Sequence, residues 1–154
     1  MDAEDVLREL TETSEHDFGL LLTAAARSVN AAVLDRLSAR GHPIRLSQFA
    51  VFVALEAGGS RISALAEHVG HSRQAMSSLV REVEALGYVI TAPDPDDGRA
   101  TLVRLTPLGV VFCRDAIVAS RELTAAYTEL LSPAGAAALR DSLRTLAAAP
   151  DGRR

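Results

Sequence analysis

The sequence predicts a mainly α chain with one small β-hairpin, an α+β fold within a single domain of 154 residues. Three observations predict it. Apolar residues recur at helical spacing through most of the chain. The period changes only at Tyr88-Val89-Ile90-Thr91 and Thr101-Leu102-Val103-Arg104-Leu105, which are rich in β-branched residues. Between those runs, Pro93-Asp94-Pro95-Asp96-Asp97-Gly98 is a turn signal, so the two strands should form a hairpin.

The elements follow in order. After an acidic opening, Phe18, Leu21, Leu22, Ala25, Val29, Ala32, Val33 and Leu37 mark a helix to about Arg40, with Asp17 as its N-cap. Gly41-His42-Pro43 ends it, because proline pushes its predecessor out of the helical region. Ser47 is placed to cap a second helix carrying Phe49, Phe52, Val53 and Leu55, which Gly58-Gly59 stops. A third runs from about Ser63 to Val69 and closes at Gly70; a fourth runs from Ser72 to Leu86 and closes at Gly87. Beyond the hairpin, Pro107 suits the first turn of a long helix to about Leu131, and Pro133 opens a last one that fades near Ala149.

Composition narrows the function classes. An apolar fraction of 48% is enough for a packed core. The single cysteine, Cys113, excludes an internal disulfide and any cysteine-cluster metal site. No apolar run reaches the roughly 18 residues of a membrane span, so no membrane partner is expected and the cytoplasm is the expected compartment. The net charge of −4 is uneven: residues 1–17 carry −6 and the remainder +2, all of the sixteen basic residues being arginine. Overall charge therefore does not decide for or against nucleic acid, and the local pattern must.

That pattern lies in residues 65–81. Ala66 is small enough to let one helix approach another, and Gly70, four residues on, supplies a turn where positive φ costs least. Met76 and Leu79 then point the next helix into the core, and Val80, Val83 and Leu86 extend the stripe. Ser72 is placed to cap orphan N–H groups. Away from the stripe stand Arg73, Gln74, Ser77, Ser78 and Arg81. Arginine pairs with guanine, glutamine with adenine and serine with base edges or phosphate, so this reads as a helix-turn-helix whose second helix enters the major groove of double-stranded DNA. The hairpin after it is a wing. Arg99 at its tip suits a narrow minor groove, and Asp97 is placed to steady that guanidinium. The bland alternative is an ordinary solvated face and turn.

Residues 46–106 thus form a DNA-binding lobe, flanked by helices at 17–40 and 107–149 whose apolar residues the lobe alone does not cover. Packing against the same helices of a second chain makes a homodimer; the alternative is a monomer whose flanks fold back on the core.

The helix-turn-helix, then Gly87-Tyr88-Val89, Asp97-Gly98-Arg99 and Leu105-Thr106-Pro107-Leu108-Gly109, resembles the MarR family of bacterial regulators over about residues 18–148. The resemblance implies a winged helix-turn-helix homodimer on a pseudo-palindromic operator, its recognition helices about one DNA turn apart, ~34 Å. It maps Ser72, Arg73, Gln74, Ser77, Ser78 and Arg81 to the recognition helix, and Asp97 and Arg99 to the wing. His71 departs from the usual aliphatic residue after the turn glycine. The resemblance further implies a transcriptional repressor released by a small aromatic or lipophilic effector, with Phe18, Leu22, Phe49, Phe52 and Phe112 as candidates to line its crevice. For apolar residues at helical spacing, ordinary core is the competing reading.

Other classes fit less well. Cys113 sits beside Phe112 rather than near the start of the first long helix, where the family's peroxide sensors keep their cysteine, and reads as a small buried apolar residue. His16, His42, His68 and His71 are scattered and read as surface or helix-end residues, with no metal or other cofactor implied. There is no phosphate loop, nucleophile elbow or catalytic triad pattern, so no enzyme is expected. A winged helix used as a protein-interaction module without sequence-specific DNA binding remains the alternative; such a helix should expose apolar or aromatic anchors.

Overall fold

The structure is a computed structural model that describes residues 2–14, 17–94, 97 and 100–149. It is mostly helical, in the order α1 (Ala3–Ser14), α2 (Phe18–Ala39), a 3-10 turn (Leu46–Gln48), α3 (Phe49–Val53), β1 (Ser60–Arg61), α4 (Ile62–Val69), α5 (Arg73–Ala85), β2 (Val89–Pro93), β3 (Thr101–Leu105) and α6 (Pro107–Ala148). The acidic opening forms α1, exposed along its length.

Most expected boundaries fall where the cap chemistry puts them. Asp17 caps α2 by accepting from the Leu20 N–H at 2.8 Å. Gly70 ends α4 in the left-handed conformation at φ 69°, and Ser72 caps α5 by accepting from the Ala75 N–H. The predicted break before Pro133 appears as a kink in α6, where Ser132 takes φ 64° and ψ 158° and its hydroxyl accepts from the Gly135 N–H.

Three expectations need correction. The helix after Pro43 is only a 3-10 turn and five α-helical residues, and Ser47 does not cap it. The Gln48 side chain instead accepts from the Arg45 N–H at 2.9 Å, and the helix stops at Val53, short of Gly58-Gly59. The sheet has three strands, not two: β1 pairs with β3 (Ser60 with Val103, Arg61 with Leu102), giving the antiparallel order β1-β3-β2. Finally, α2 is on average long and apolar enough to cross a membrane, because alanine, leucine and valine outweigh its scattered polar residues. Its C-terminal half lies against α6, with Leu37 fully buried and both Arg36 and Arg40 paired to Glu122.

The core lies between α3, α4, α5, the sheet and the start of α6. Leu65 of α4, Met76, Val80 and Val83 of α5, Val103 of β3 and Phe112 of α6 are its largest fully buried side chains, with Leu37 and Val51. The α5 residues recur at i, i+4 and i+7, one face of a helix.

The entry to α6 is the tightest joint. Thr106 caps α6 by accepting from the Gly109 N–H at 3.0 Å, while its hydroxyl donates to the Gly87 carbonyl at 2.6 Å and its N–H to the Tyr88 carbonyl at 3.0 Å. A Cβ on Gly109 would stand 2.0 Å from that Tyr88 carbonyl oxygen. The Leu105-Thr106-Pro107-Leu108-Gly109 run therefore latches α6 onto the end of α5. Gly109→Ala should lower stability by about 1–3 kcal/mol through overpacking, read as a fall in the thermal unfolding midpoint. Gly70→Ala, with open space around its Cβ, would meet only the positive-φ penalty.

Candidate nucleic-acid interface

The second helix of the helix-turn-helix is held from both flanks, and each fastening uses one of its own acids. Glu82 accepts from Arg45 and, at 3.0 Å, from the Gln48 amide, tying α5 to the 3-10 turn. Glu84 accepts from the Thr91 N–H at 2.7 Å and the Thr91 hydroxyl at 2.8 Å, tying α5 to β2. With Met76, Val80 and Val83 buried beneath, the helix has little freedom to roll.

Gln74, Ser78 and Arg81 are exposed on the side of α5 away from that buried face, while Ser72 and Arg73 are exposed at its N-terminal end, one turn ahead of the buried stripe. Ser77 is half-buried, and its hydroxyl donates back to the Arg73 carbonyl at 2.8 Å, so it is less available than its neighbours. The Ser72 oxygen is engaged as the cap, leaving its hydroxyl proton for a further acceptor.

In the hairpin, β2 and β3 pair from Val89–Leu105 to Pro93–Thr101. Arg99 lies outside the described residues, as do Pro95, Asp96 and Gly98. Asp97 is described: its carboxylate stands 3.7 Å from the Arg61 guanidinium, a partner no spacing rule suggested.

The five crevice candidates divide into two groups. Phe49, Phe52 and Phe112 form one aromatic cluster, with ring centroids 5.6 Å (Phe49–Phe112) and 4.4 Å (Phe52–Phe112) apart. Phe18 and Leu22 are exposed on the first turns of α2, Phe18 to 80%. Fifteen residues of helix, about 22 Å, separate Phe18 from Val33, where α2 meets the others. A cavity of about 340 Å³ does open there, lined by Asn30, Val33, Leu34, Leu46, Phe49, Ala116 and Ser120. Of the candidates only Phe49 lines it, and Phe112 is the fully buried floor of the core behind.

That cluster contains a residue the sequence reading placed at the surface. His42 is only 4% exposed, its Nε2 lies 2.8 Å from Asp115 and its Nδ1 3.0 Å from the Tyr88 hydroxyl. With a hydrogen on Nε2 directed at Asp115, the neutral tautomer of His42 leaves Nδ1 to accept from the phenol. Nothing local marks a Gly-His-Pro turn as buried; the signal is three-dimensional, from the rings of Tyr88, just ahead of β2, and Phe112 of α6 closing on it. Cys113 is half-buried, and burial pushes its thiol pKa up, away from the thiolate that reacts with oxidants.

Burial likewise raises the Tyr88 phenol above its ordinary value. The folded state then holds that proton more tightly than the unfolded chain does. This contribution is complete below about pH 10 and is lost as pH rises towards the folded value. Stability should fall above about pH 10, and Tyr88→Phe should remove that component of the alkaline slope while costing about 1 kcal/mol at neutral pH for the orphaned His42 nitrogen. Urea unfolding followed across pH measures both.

Residues 42–100 match the profile of the MarR family. A curated relative, the transcriptional repressor IacR of Pseudomonas putida, is 35% identical over 60 residues, 39% of this chain; the match spans only 36% of that repressor's length. Over most of the chain the fold matches CouR of Rhodococcus jostii bound to p-coumaroyl-CoA, with TM-score 0.69 and 27% identity over 89% of this chain and 96% of that one. It also matches CouR bound to a 23-mer DNA duplex, with TM-score 0.71 and 25% identity over 86% and 94%. The family is one of transcriptional regulators rather than enzymes. Residues 42–100 thus share the profile of the MarR family, and over most of the chain the fold, with its three-stranded sheet, its Gly70 turn and its α6 latched through Thr106 and Gly109, is similar to that of a MarR-family transcriptional regulator from Rhodococcus, with TM-score 0.69 and 26% identity over 87% of this chain and 94% of that one.

Proposed function

We propose that this protein is a sequence-specific DNA-binding regulator, a repressor that works as a homodimer on a pseudo-palindromic operator. The observation that carries the reading is the outward face of α5. Its polar residues Arg73, Gln74, Ser78 and Arg81 are exposed on a helix clamped through Glu82 and Glu84. A rigid helix with hydrogen-bonding side chains at its N-terminal half is what major-groove readout requires. A protein-docking helix would instead need apolar or aromatic anchors on this face. The DNA-bound relative supports the same reading.

Residues 46–106 act as the reading lobe, with Ser72 and Ser77 in support and, on the wing, Arg99 directed to the minor groove and Asp97 steadying the wing. Residues 17–40 and 107–149 supply the dimer. Support for this comes from apolar side chains the single chain leaves open: Phe18, Leu20 and Leu21 on α2, and Leu139, Leu143 and Leu146 near the end of α6. The cavity beside Phe49 takes a small, largely apolar effector, and the relative solved with p-coumaroyl-CoA bound supports ligand control on this fold without fixing the chemistry of the ligand. It lies between α2, α3 and α6, so an occupant would alter how the lobe sits on the dimer helices.

Two substitutions test the assignment on a duplex selected by the wild-type protein from random-sequence DNA. Arg99→Ala should weaken binding by about 1–3 kcal/mol and leave the dimer intact by sedimentation; normal binding would remove Arg99 from the interface. Arg73→Ala should narrow the gap between selected and random DNA, whereas an equal loss on both would make it a phosphate contact.

A further inference from the structure

The sheet carries a second arginine whose role neither the helix-turn-helix pattern nor the wing tip explains. Arg61 is on the two-residue strand β1, paired with Leu102 of β3. Its side chain reaches to the segment that leaves β2. There its Nε and one terminal nitrogen both lie 2.6 Å from Asp94 Oδ2, and the other terminal nitrogen lies 3.7 Å from Asp97. The Asp94 side chain is only 5% exposed, while Arg61 is nearly half exposed. A buried carboxylate is tolerated only when paired, and the guanidinium fork supplies that pairing from a neighbouring strand.

The backbone around the two acids is organised as well. The Asp94 N–H donates to the Ala100 carbonyl at 2.9 Å, the Asp97 N–H to the Asp94 carbonyl at 3.2 Å, and the Ala100 N–H to the Asp97 carbonyl at 2.8 Å. Asp94 therefore opens the connection between β2 and β3 and Asp97 stands at its middle, with Arg61 hydrogen-bonded to the first and beside the second. This also resolves an oddity of the sequence, a wing rich in aspartate on a DNA-binding protein: at least two of the three acids stand against a cation.

We propose that Arg61 is a positioning residue for DNA binding. By holding Asp94 and Asp97 it fixes the direction in which the wing leaves the sheet, and it withdraws their negative charge from the approaching phosphates. The inference rests on the DNA-binding reading above and adds to it a determinant outside both the recognition helix and the wing tip. Like charges brought together without a partner repel, so freeing a carboxylate beside the backbone of DNA costs affinity.

The test measures fluorescence anisotropy of a labelled duplex, selected by the wild-type protein from random-sequence DNA, over a range of salt, with thermal melting of every variant. Arg61→Ala should bind about tenfold more weakly or worse. Adding Asp94→Asn to it should restore much of the affinity, and by more than Asp94→Asn alone changes the wild-type protein, since the carboxylate that needed a partner is gone; a direct phosphate contact by Arg61 predicts simple additivity, and a merely structural role predicts that affinity follows the melting temperature. Arg61→Lys, which keeps the charge but not the fork, should fall between. Should Arg61→Ala fail to fold, weaker binding by a normally melting Arg61→Lys supports the proposal and unchanged binding overturns it. Wild-type affinity in Arg61→Ala, or a double variant no better than the single one, also overturns it. A wild-type protein that selects no duplex removes the DNA-binding reading, and this proposal falls with it.

Discussion

The buried joint around His42, Tyr88 and Phe112 is what the rest of the structure depends on. His42 belongs to the link between α2 and α3, Tyr88 follows directly on α5, and Phe112 and Asp115 belong to α6. Their rings meet tilted or edge-on at centroid distances of 5.0–5.7 Å, and the imidazole hydrogen-bonds to both Tyr88 and Asp115. The latch of Thr106 and Gly109 on Gly87 and Tyr88 closes the same joint from the backbone side. The flanking helices and α5 therefore meet at one place, and it is polar enough to specify a single geometry. Phe49 touches this cluster on one side and lines the apolar cavity on the other, which puts that cavity one side chain away from the joint.

Electrostatics follow the same economy. The chain is acidic overall, yet both acids of α5 and the Asp94 that follows β2 are occupied: Glu82 by Arg45 and Gln48, Glu84 by Thr91, Asp94 by Arg61. What α5 offers outward is then set by Arg73, Gln74, Ser78 and Arg81 rather than by net charge. The strongly acidic α1 is a separate, exposed helix at the start of the chain.

The parts of the fold that were legible in the sequence are those governed by local chemistry. Asp17, Ser72, Gly70, Gly87 and Pro107 mark boundaries because capping and positive φ are properties of a few consecutive residues. The α5 stripe was legible because its period is helical over thirteen residues. The recognition-helix candidates are exposed on one helix apart from half-buried Ser77, whose hydroxyl turned to its own backbone. What escaped depends on distant partners. Two residues are too few to give a strand pattern, so β1 went unseen, and with it the Arg61 grip on Asp94 across 33 positions. The burial of His42 depends on Tyr88 and Asp115, 46 and 73 positions away. The crevice candidates were chosen by residue type, which cannot tell that Phe18 lies about four helical turns from Phe49's neighbours.

If a rigid α5 from each of two chains reads DNA together, hydroxyl-radical and methylation footprinting of the wild-type protein on its selected duplex will show it. Two major-groove patches should be protected from methylation, about 10 base pairs apart centre to centre, with flanking minor-groove protection from radical cleavage. A single protected patch, or protection spread evenly along the backbone with no major-groove component, would contradict it.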